Sequence, residues 1–368
     1  MPELIETPST FEEALEALRA ADSIALDTES DSFFAYAPRV CLLQASVPGR
    51  DFLIDPMAED LDLAPLGELL GDDSREIVLH AAENDIIQLS HQFGWRIARL
   101  FDTQVACFVL GLKPYSLAGV LEARFEVKLD KSQQRSDWSR RPLERAQVEY
   151  AAEDTHYLLD LAAELHQRAE EAGRVEEIEW ECRRIAEREW EPEPFDPDAY
   201  RRMNGAKELD GRGLWLLRKL FLLRNREAER RNWAPYRIAP DFALVKIARE
   251  RLRQQQRGVP APFWRRYGSE ISRLVEQSQG QSAPPGPRRQ RSRGEPVAPE
   301  VKERYERLRR WRTQAADDRG VESWVVARNE LLMRVASSAR SALEDLEGVL
   351  APFRLREYGP AMIQALLD

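Results

Sequence analysis

Two carboxylates stand one residue apart in Asp27-Thr28-Glu29, at the end of the apolar run Ser23-Ile24-Ala25-Leu26. Side chains alternate along an extended chain, so residues i and i+2 project to the same face. Two anions held that close repel each other, and each tends to keep its proton unless a cation lies between them. Hard carboxylate oxygens favour magnesium or manganese over zinc. A third acid, Asp85, precedes Ile86, Ile87 and Leu89, which places it in the first turn of a helix. A fourth, Asp154, follows Tyr150 by four residues, so the two share a helix face, while Glu149 and Glu153 lie on another face and read as solvated helix acids. Taken singly, each has an ordinary reading: a strand-end pair facing solvent, an acid complementing a helix dipole, a core tyrosine, a surface charge.

The elements around these residues alternate between helix and strand. Thr10-Phe11-Glu12-Glu13 reads as a capping box opening a helix with Phe11, Leu15 and Leu18 on one face. Buried strands are expected at Ser23–Leu26, Val40–Val47, Asp51–Asp55, Glu76–His80 and Leu100–Phe101, the first three forming an antiparallel meander. Helices are expected at 63–70, 84–93 and 103–111, and one long helix over 142–172 carries Tyr150 and Asp154. This is an α/β pattern with a mixed sheet. A polar helix over 174–190 leads to a Pro-rich boundary at 191–197, beyond which the pattern is all-helical. Residues 206–276 read as one helical unit, 277–300 as a flexible linker, and 301–368 as a second helical unit.

The order of these signals resembles the DEDDy group of 3′–5′ exonucleases, and within it the ribonuclease D family. The stretches carrying the resemblance are LDTESDSFFAYAPRVCLLQ, IVLHAAENDIIQL, FDTQVA and LDKSQQRSDWSRRPLERAQVEYAAEDTHYLLDL, together about residues 20–170. RNREAERRNWAPYRIAPDFALVKIARE (224–250) is similar to an HRDC domain, and 301–368 occupies the place of a second. The resemblance implies an RNase H-like exonuclease domain over 1–172, a connecting helix and linker over 173–205, and two all-α HRDC-like domains at 206–276 and 301–368. It implies that Asp27, Glu29, Asp85 and Asp154 bind two divalent ions, magnesium or manganese, and that Tyr150 orients the attacking water. Two ions about 4 Å apart would activate the water, neutralise the phosphate and hold the departing 3′ oxygen. Tyr150, with an ordinary pKa near ~10, would share a hydrogen bond without adding charge. The expected activity is release of nucleoside 5′-monophosphates from RNA with a free 3′ end, in maturation of tRNA precursors in the cytoplasm, with no obligate protein partner. A DNA 3′–5′ exonuclease and a non-catalytic nucleic-acid-binding protein on a nuclease fold are the alternatives. Ser30 stands where many relatives have an aromatic residue, which leaves Phe33, Phe34 and Tyr36 as candidates to stack on the terminal base or to pack in the core. Asp102 reads as a helix cap, and His80 as a support to the metal ligands or strand-end packing.

Composition narrows the rest. No segment approaches the run of about 18 apolar residues a membrane helix needs, and acidic Met1–Ala20 lacks the apolar stretch of a signal peptide. Cys41, Cys107 and Cys182 are too scattered for a disulfide framework or a structural zinc site. The net charge of −10 hides a split: residues 1–200 carry 19 Lys+Arg against 43 Asp+Glu, residues 201–368 carry 35 against 21. An acidic half repels phosphate unless cations sit in it; a basic half attracts it. Arg224, Arg226, Arg230, Arg231 and Lys246 are the candidate phosphate contacts, with Trp233 and Tyr236 interleaved. Residues 301–368, with 12 basic and 11 acidic side chains, are expected to serve more as a clamp around the active site.

Overall fold

The computed structural model describes residues 2–191, 194–286, 297–338 and 342–367. The N-terminal part is built on β1 (Glu3–Ile5), α1 (Pro8–Ala20), β2 (Ser23–Ser30), β3 (Val40–Val47), β4 (Arg50–Ile54), α2 (Ala64–Leu70), β5 (Glu76–Leu79), α3 (Glu83–Phe93), β6 (Leu100–Asp102), α4 (Thr103–Leu110), α5 (Leu117–Phe125), α6 (Arg145–His156), α7 (Leu158–Glu171) and α8 (Val175–Ala186). The six strands form one mixed sheet in the order β1-β4-β3-β2-β5-β6. The expected meander is present: β2 and β4 flank β3, both antiparallel to it. β5 pairs with β2, and β6 with β5, in parallel. Three-residue β1, parallel to β4, escapes the sequence reading because it is too short for an alternation pattern.

Two local expectations need correction. Helix α1 starts one turn earlier than Thr10. Thr7 is the cap: its hydroxyl accepts from the Thr10 amide at 3.3 Å, and the Thr10 hydroxyl accepts from the Thr7 amide at 3.3 Å. Pro8 then takes the first helical position, where a missing N–H costs nothing. The single helix expected over 142–172 is two helices meeting at Tyr157. The break lets α6 lie across β2, β3 and β4 while α7 packs on β2, β5 and α4. A straight helix has one contact line and could not serve both.

The helical part comprises α9 (Gly211–Arg231), α10 (Pro235–Ile238), α11 (Asp241–Glu250), α12 (Ala261–Gln277), α13 (Pro299–Arg319), α14 (Ser323–Val326), α15 (Asn329–Ser338) and α16 (Pro352–Leu367). Its two units are held differently. Helices α9–α12 surround a core of their own, joined by Tyr200, Met203 and Ala206, so this unit begins before residue 206. Helices α13–α16 share one continuous core with the nuclease part. Helix α8 is the rail between them: it buries Ile178, Cys182 and Ile185 against the sheet domain, so it is an integral layer and not a connector. Its Glu177 meets Arg319 at 3.1 Å, and its Glu181 meets Arg354 at 2.7 Å. Of the expected flexible linker, Gln277 belongs to α12, and the Pro284 and Pro285 carbonyls accept from the Arg201 guanidinium at 2.7 and 2.9 Å. Residues 287–296 lie outside the described residues.

Candidate active site

Asp27 and Glu29 project from β2, opposite Gln44 and Leu42 of β3. The register of the β2–β3 pair shifts just after Glu29, so regular pairing ends beside the two acids. Asp85 sits in the first turn of α3. Asp102 fixes the turn before it: its carboxylate caps α4 through the Gln104 amide at 2.8 Å and also accepts from the Ala81 and Ala82 amides at 3.0 and 2.9 Å. It therefore ties the β5–α3 connection to the β6–α4 connection, as the cap reading expected, and steadies an Ala81 held at φ 62°. The Thr28 hydroxyl donates to Asp85, joining β2 to α3. Tyr150 and Asp154 extend from α6, which lies on the sheet through Gln147, Ala151, Ala152 and Thr155.

The five side chains, each half-buried, lie close enough to feel one another's charge, and together they form an acid pocket. Burial, then Asp85, Asp154 and Glu29, raises the Asp27 carboxyl well above the usual range. Burial, with Asp154 and Asp85, pushes Glu29 up to about 9. Burial raises Asp85 to about 6, against the opposing hydrogen bond from Thr28. Burial raises Asp154 to about 7, with the Tyr150 hydroxyl pulling the other way and Glu153 and Asp85 adding to the rise. Tyr150 is itself raised, by burial and then by Asp154, Glu29 and Asp27, so it stays protonated across the physiological range. Among the described residues no lysine, arginine or histidine pairs with any of the four acids. A half-buried cluster of hard, mutually repelling oxygens without a cation is a donor set suited to divalent ions. Among the described residues no three acidic, histidine or cysteine side chains close around a point as a ready-made metal cage.

Residues that spacing did not single out complete the wall. Trp138, almost fully buried, lies 6.0 Å from the Tyr150 ring. Arg141 holds the loop carrying it: its guanidinium donates to the Trp138 and Cys41 carbonyls at 2.8 and 2.7 Å and pairs with Asp55 at 2.8 Å. Nothing in the local pattern marks this, since Asp55 is 86 residues away. His80 bonds Thr103 at 2.9 Å and the Tyr115 carbonyl at 3.0 Å, which is strand-end packing.

The candidate nucleic-acid contacts separate. Phe33 is 52% exposed, with the Arg135 guanidinium 5.9 Å from its ring. Phe34 lies under Arg237, and the Tyr36 hydroxyl donates to Asn225 at 3.1 Å; both dock the β2–β3 loop onto the first helical unit. Arg224 is a correction. It is 5% exposed and donates to the Ala239 carbonyl and Asp241 at 2.9 and 2.6 Å, so its charge braces α9 against the α10–α11 connection and faces no phosphate. Arg226, Arg230, Arg231 and Lys246 lie nearer the surface, each within 4.0 Å of a glutamate.

Comparison with known proteins bears on this geometry. Residues 2–170 match the 3′–5′ exonuclease family, and residues 213–275 and 301–366 each match the HRDC domain. Ribonuclease D of Musicola paradisiaca is 31% identical over 347 residues, covering 91% of this chain and 90% of that protein. The chain belongs to the ribonuclease D family. Ribonuclease D of Gluconacetobacter diazotrophicus is 34% identical over 67% of this chain, and the matched region spans 63% of that relative's length. The crystal structure of Escherichia coli RNase D, described as an exoribonuclease involved in structured RNA processing, superposes with a TM-score of 0.63 at 27% identity, covering 100% of this chain and 99% of that one. Membership in the ribonuclease D family confirms the RNase H-like sheet domain with C-terminal HRDC helices, and the carboxylate pocket fits the divalent-metal dependence of such exonucleases. No helix among the described residues is long and apolar enough to cross a membrane.

Proposed function

We propose that this protein is a 3′–5′ exoribonuclease that releases nucleoside 5′-monophosphates from RNA with a free 3′ end, tRNA precursors among them, in the cytoplasm. The observation that carries the reading is the convergence of four half-buried acids from β2, α3 and α6, without a cationic side chain to offset them and with Tyr150 beside Asp154. Asp27, Glu29, Asp85 and Asp154 would hold two divalent ions, magnesium or manganese, which when bound supply an activated water and neutralise the phosphate and the departing 3′ oxygen. Tyr150, kept neutral by its surroundings, orients the water through its hydroxyl. Phe33, exposed at the tip of the β2–β3 loop, offers a face to the terminal base. Exposed Arg226 and Arg230 attract the backbone further along the strand.

The test is digestion of a 3′-extended tRNA beside matched RNA and DNA oligonucleotides, with products resolved to one nucleotide. Expected is a monophosphate ladder from the RNA 3′ end with magnesium or manganese and none with EDTA. Asp27→Asn and Asp154→Asn should each lower the rate by at least about 10²–10³-fold, the range seen for losing one group that stabilises transition-state charge, without lowering the thermal midpoint. Full activity of either variant in saturating magnesium would refute the ligand assignment. Faster digestion of the DNA would reassign the substrate, and binding without release would leave a nucleic-acid-binding protein.

A further inference from the structure

Gln44 is fully buried in the middle of β3, and neither its amide nitrogen nor its amide oxygen has a hydrogen-bond partner. Buried polar groups are nearly always paired, and an orphaned one asks for an explanation. Its position is specific. Gln44 stands directly opposite Asp27 across the β2–β3 ladder, and such partners share a face with their Cβ atoms about 4.5–5.5 Å apart. Ser46, two residues along and therefore on the same face, bonds Thr155 of α6 at 2.7 Å. The Gln44 side chain thus lies beneath the helix that carries Tyr150 and Asp154, on the floor of the acid pocket. Ala151 and Ala152 leave room for it there and offer no polar side chain. Asp27, for its part, receives no side-chain hydrogen bond among the described residues.

A carboxylate that ligates ions still has lone pairs pointing away from them. Donors to those lone pairs set the ligand's orientation and strengthen the site. A neutral amide suits this place better than a lysine or arginine, whose charge would compete with the ions. We propose that Gln44 is a positioning residue of the metal site: when ions are bound its amide N–H, unpaired in this structure, donates to the Asp27 oxygen turned away from them and holds that carboxylate in its ligating orientation. The inference rests on Asp27 being a ligand, as read above. An interior water satisfying the amide is the competing explanation.

The full-length protein and its Gln44→Leu and Gln44→Met variants separate the two. Thermal midpoints are measured in EDTA and then along a titration with manganese alone, without RNA. Removing an orphaned amide should leave the EDTA midpoint of at least one variant at or above that of the parent. The manganese needed for half the parent's rise should increase about 10–100-fold, the usual effect of losing a partner that orients a ligand. A titration that overlays the parent's would overturn the proposal in favour of the water. So would a drop in the EDTA midpoint, or a failure to fold, in both variants, because the amide would then serve the metal-free fold. If the parent shows no response to manganese, the metal-site reading itself fails and takes this inference with it.

Discussion

At the scale of single residues, the pocket is an arrangement of charge that the protein alone does not neutralise. Carboxyls with a folded pKa above the unfolded value are stabilising while protonated. That contribution is complete below the ordinary carboxylate range and is lost as pH climbs through about 6 for Asp85, about 7 for Asp154 and about 9 for Glu29. The thermal midpoint measured in EDTA should therefore fall steadily between pH 5 and 9 by this contribution, whereas saturating magnesium or manganese should flatten the decline. A metal-free midpoint that rises across that interval in the parent, and no differently in Asp27→Asn, would contradict the electrostatic account. Glu181 behaves oppositely, although it is more fully buried than the pocket acids. Arg354 and Arg184 outweigh its desolvation and hold it below its usual value.

At the scale of elements, the loop between β2 and β3 is where chemistry and the first helical unit meet. It leaves the strand one residue after Glu29, and α9 and α10 hold it. The Ala234 amide donates to the Phe34 carbonyl at 2.8 Å, Asn232 accepts from the Ala37 amide at 2.8 Å, and Arg237 spans the Phe34 and Trp233 rings at 5.7 and 4.9 Å. The aromatic and basic residues that composition marks as RNA contacts are partly occupied in building this junction. Arg237→Ala should remove about 0.5–1 kcal/mol for each ring the guanidinium no longer covers, seen as faster amide hydrogen exchange over residues 32–37 while the exchange of β3 stays unchanged. Equal acceleration in β3 would mean that the loop and the strand open as one unit.

At the scale of the whole molecule, the two HRDC-like units are unequal partners. The first keeps its own core and reaches the nuclease part through the loop just described. The second is continuous with the nuclease core and is bonded through α8, where Glu181 sits among Arg354, Arg184 and Arg328. Removing one member of a buried ion pair strands the other, which costs roughly 3–5 kcal/mol. Glu181→Ala should therefore lower the unfolding free energy by that order and expose α13–α16 to limited proteolysis before the rest of the chain. Cleavage first in α9–α12 would show that the first unit is the looser of the two.

What the order of residues determines by itself is local. Short apolar runs bounded by turn residues mark β2 to β6, the apolar run after Asp85 places it at a helix start, and the four-residue spacing of Tyr150 and Asp154 gives them a common face, because these depend only on neighbours along the chain. Family resemblance then links the three sites, and the mutual charge effects of the four acids are consistent with that link. Features that depend on partners distant in sequence are decided only in the folded molecule. Tyr157 divides one apolar stripe into two helices because two different parts of the sheet must be covered, β3–β4 by α6 and β5 by α7. Arg224, basic in a basic segment, is internal because Ala239 and Asp241 meet it there. Gln44 looks like one polar residue in an apolar strand until the β2–β3 register sets it against Asp27. Charge and periodicity are properties of a segment, but burial and partnership belong to the assembled chain, where a side chain's surroundings come from elsewhere in the sequence.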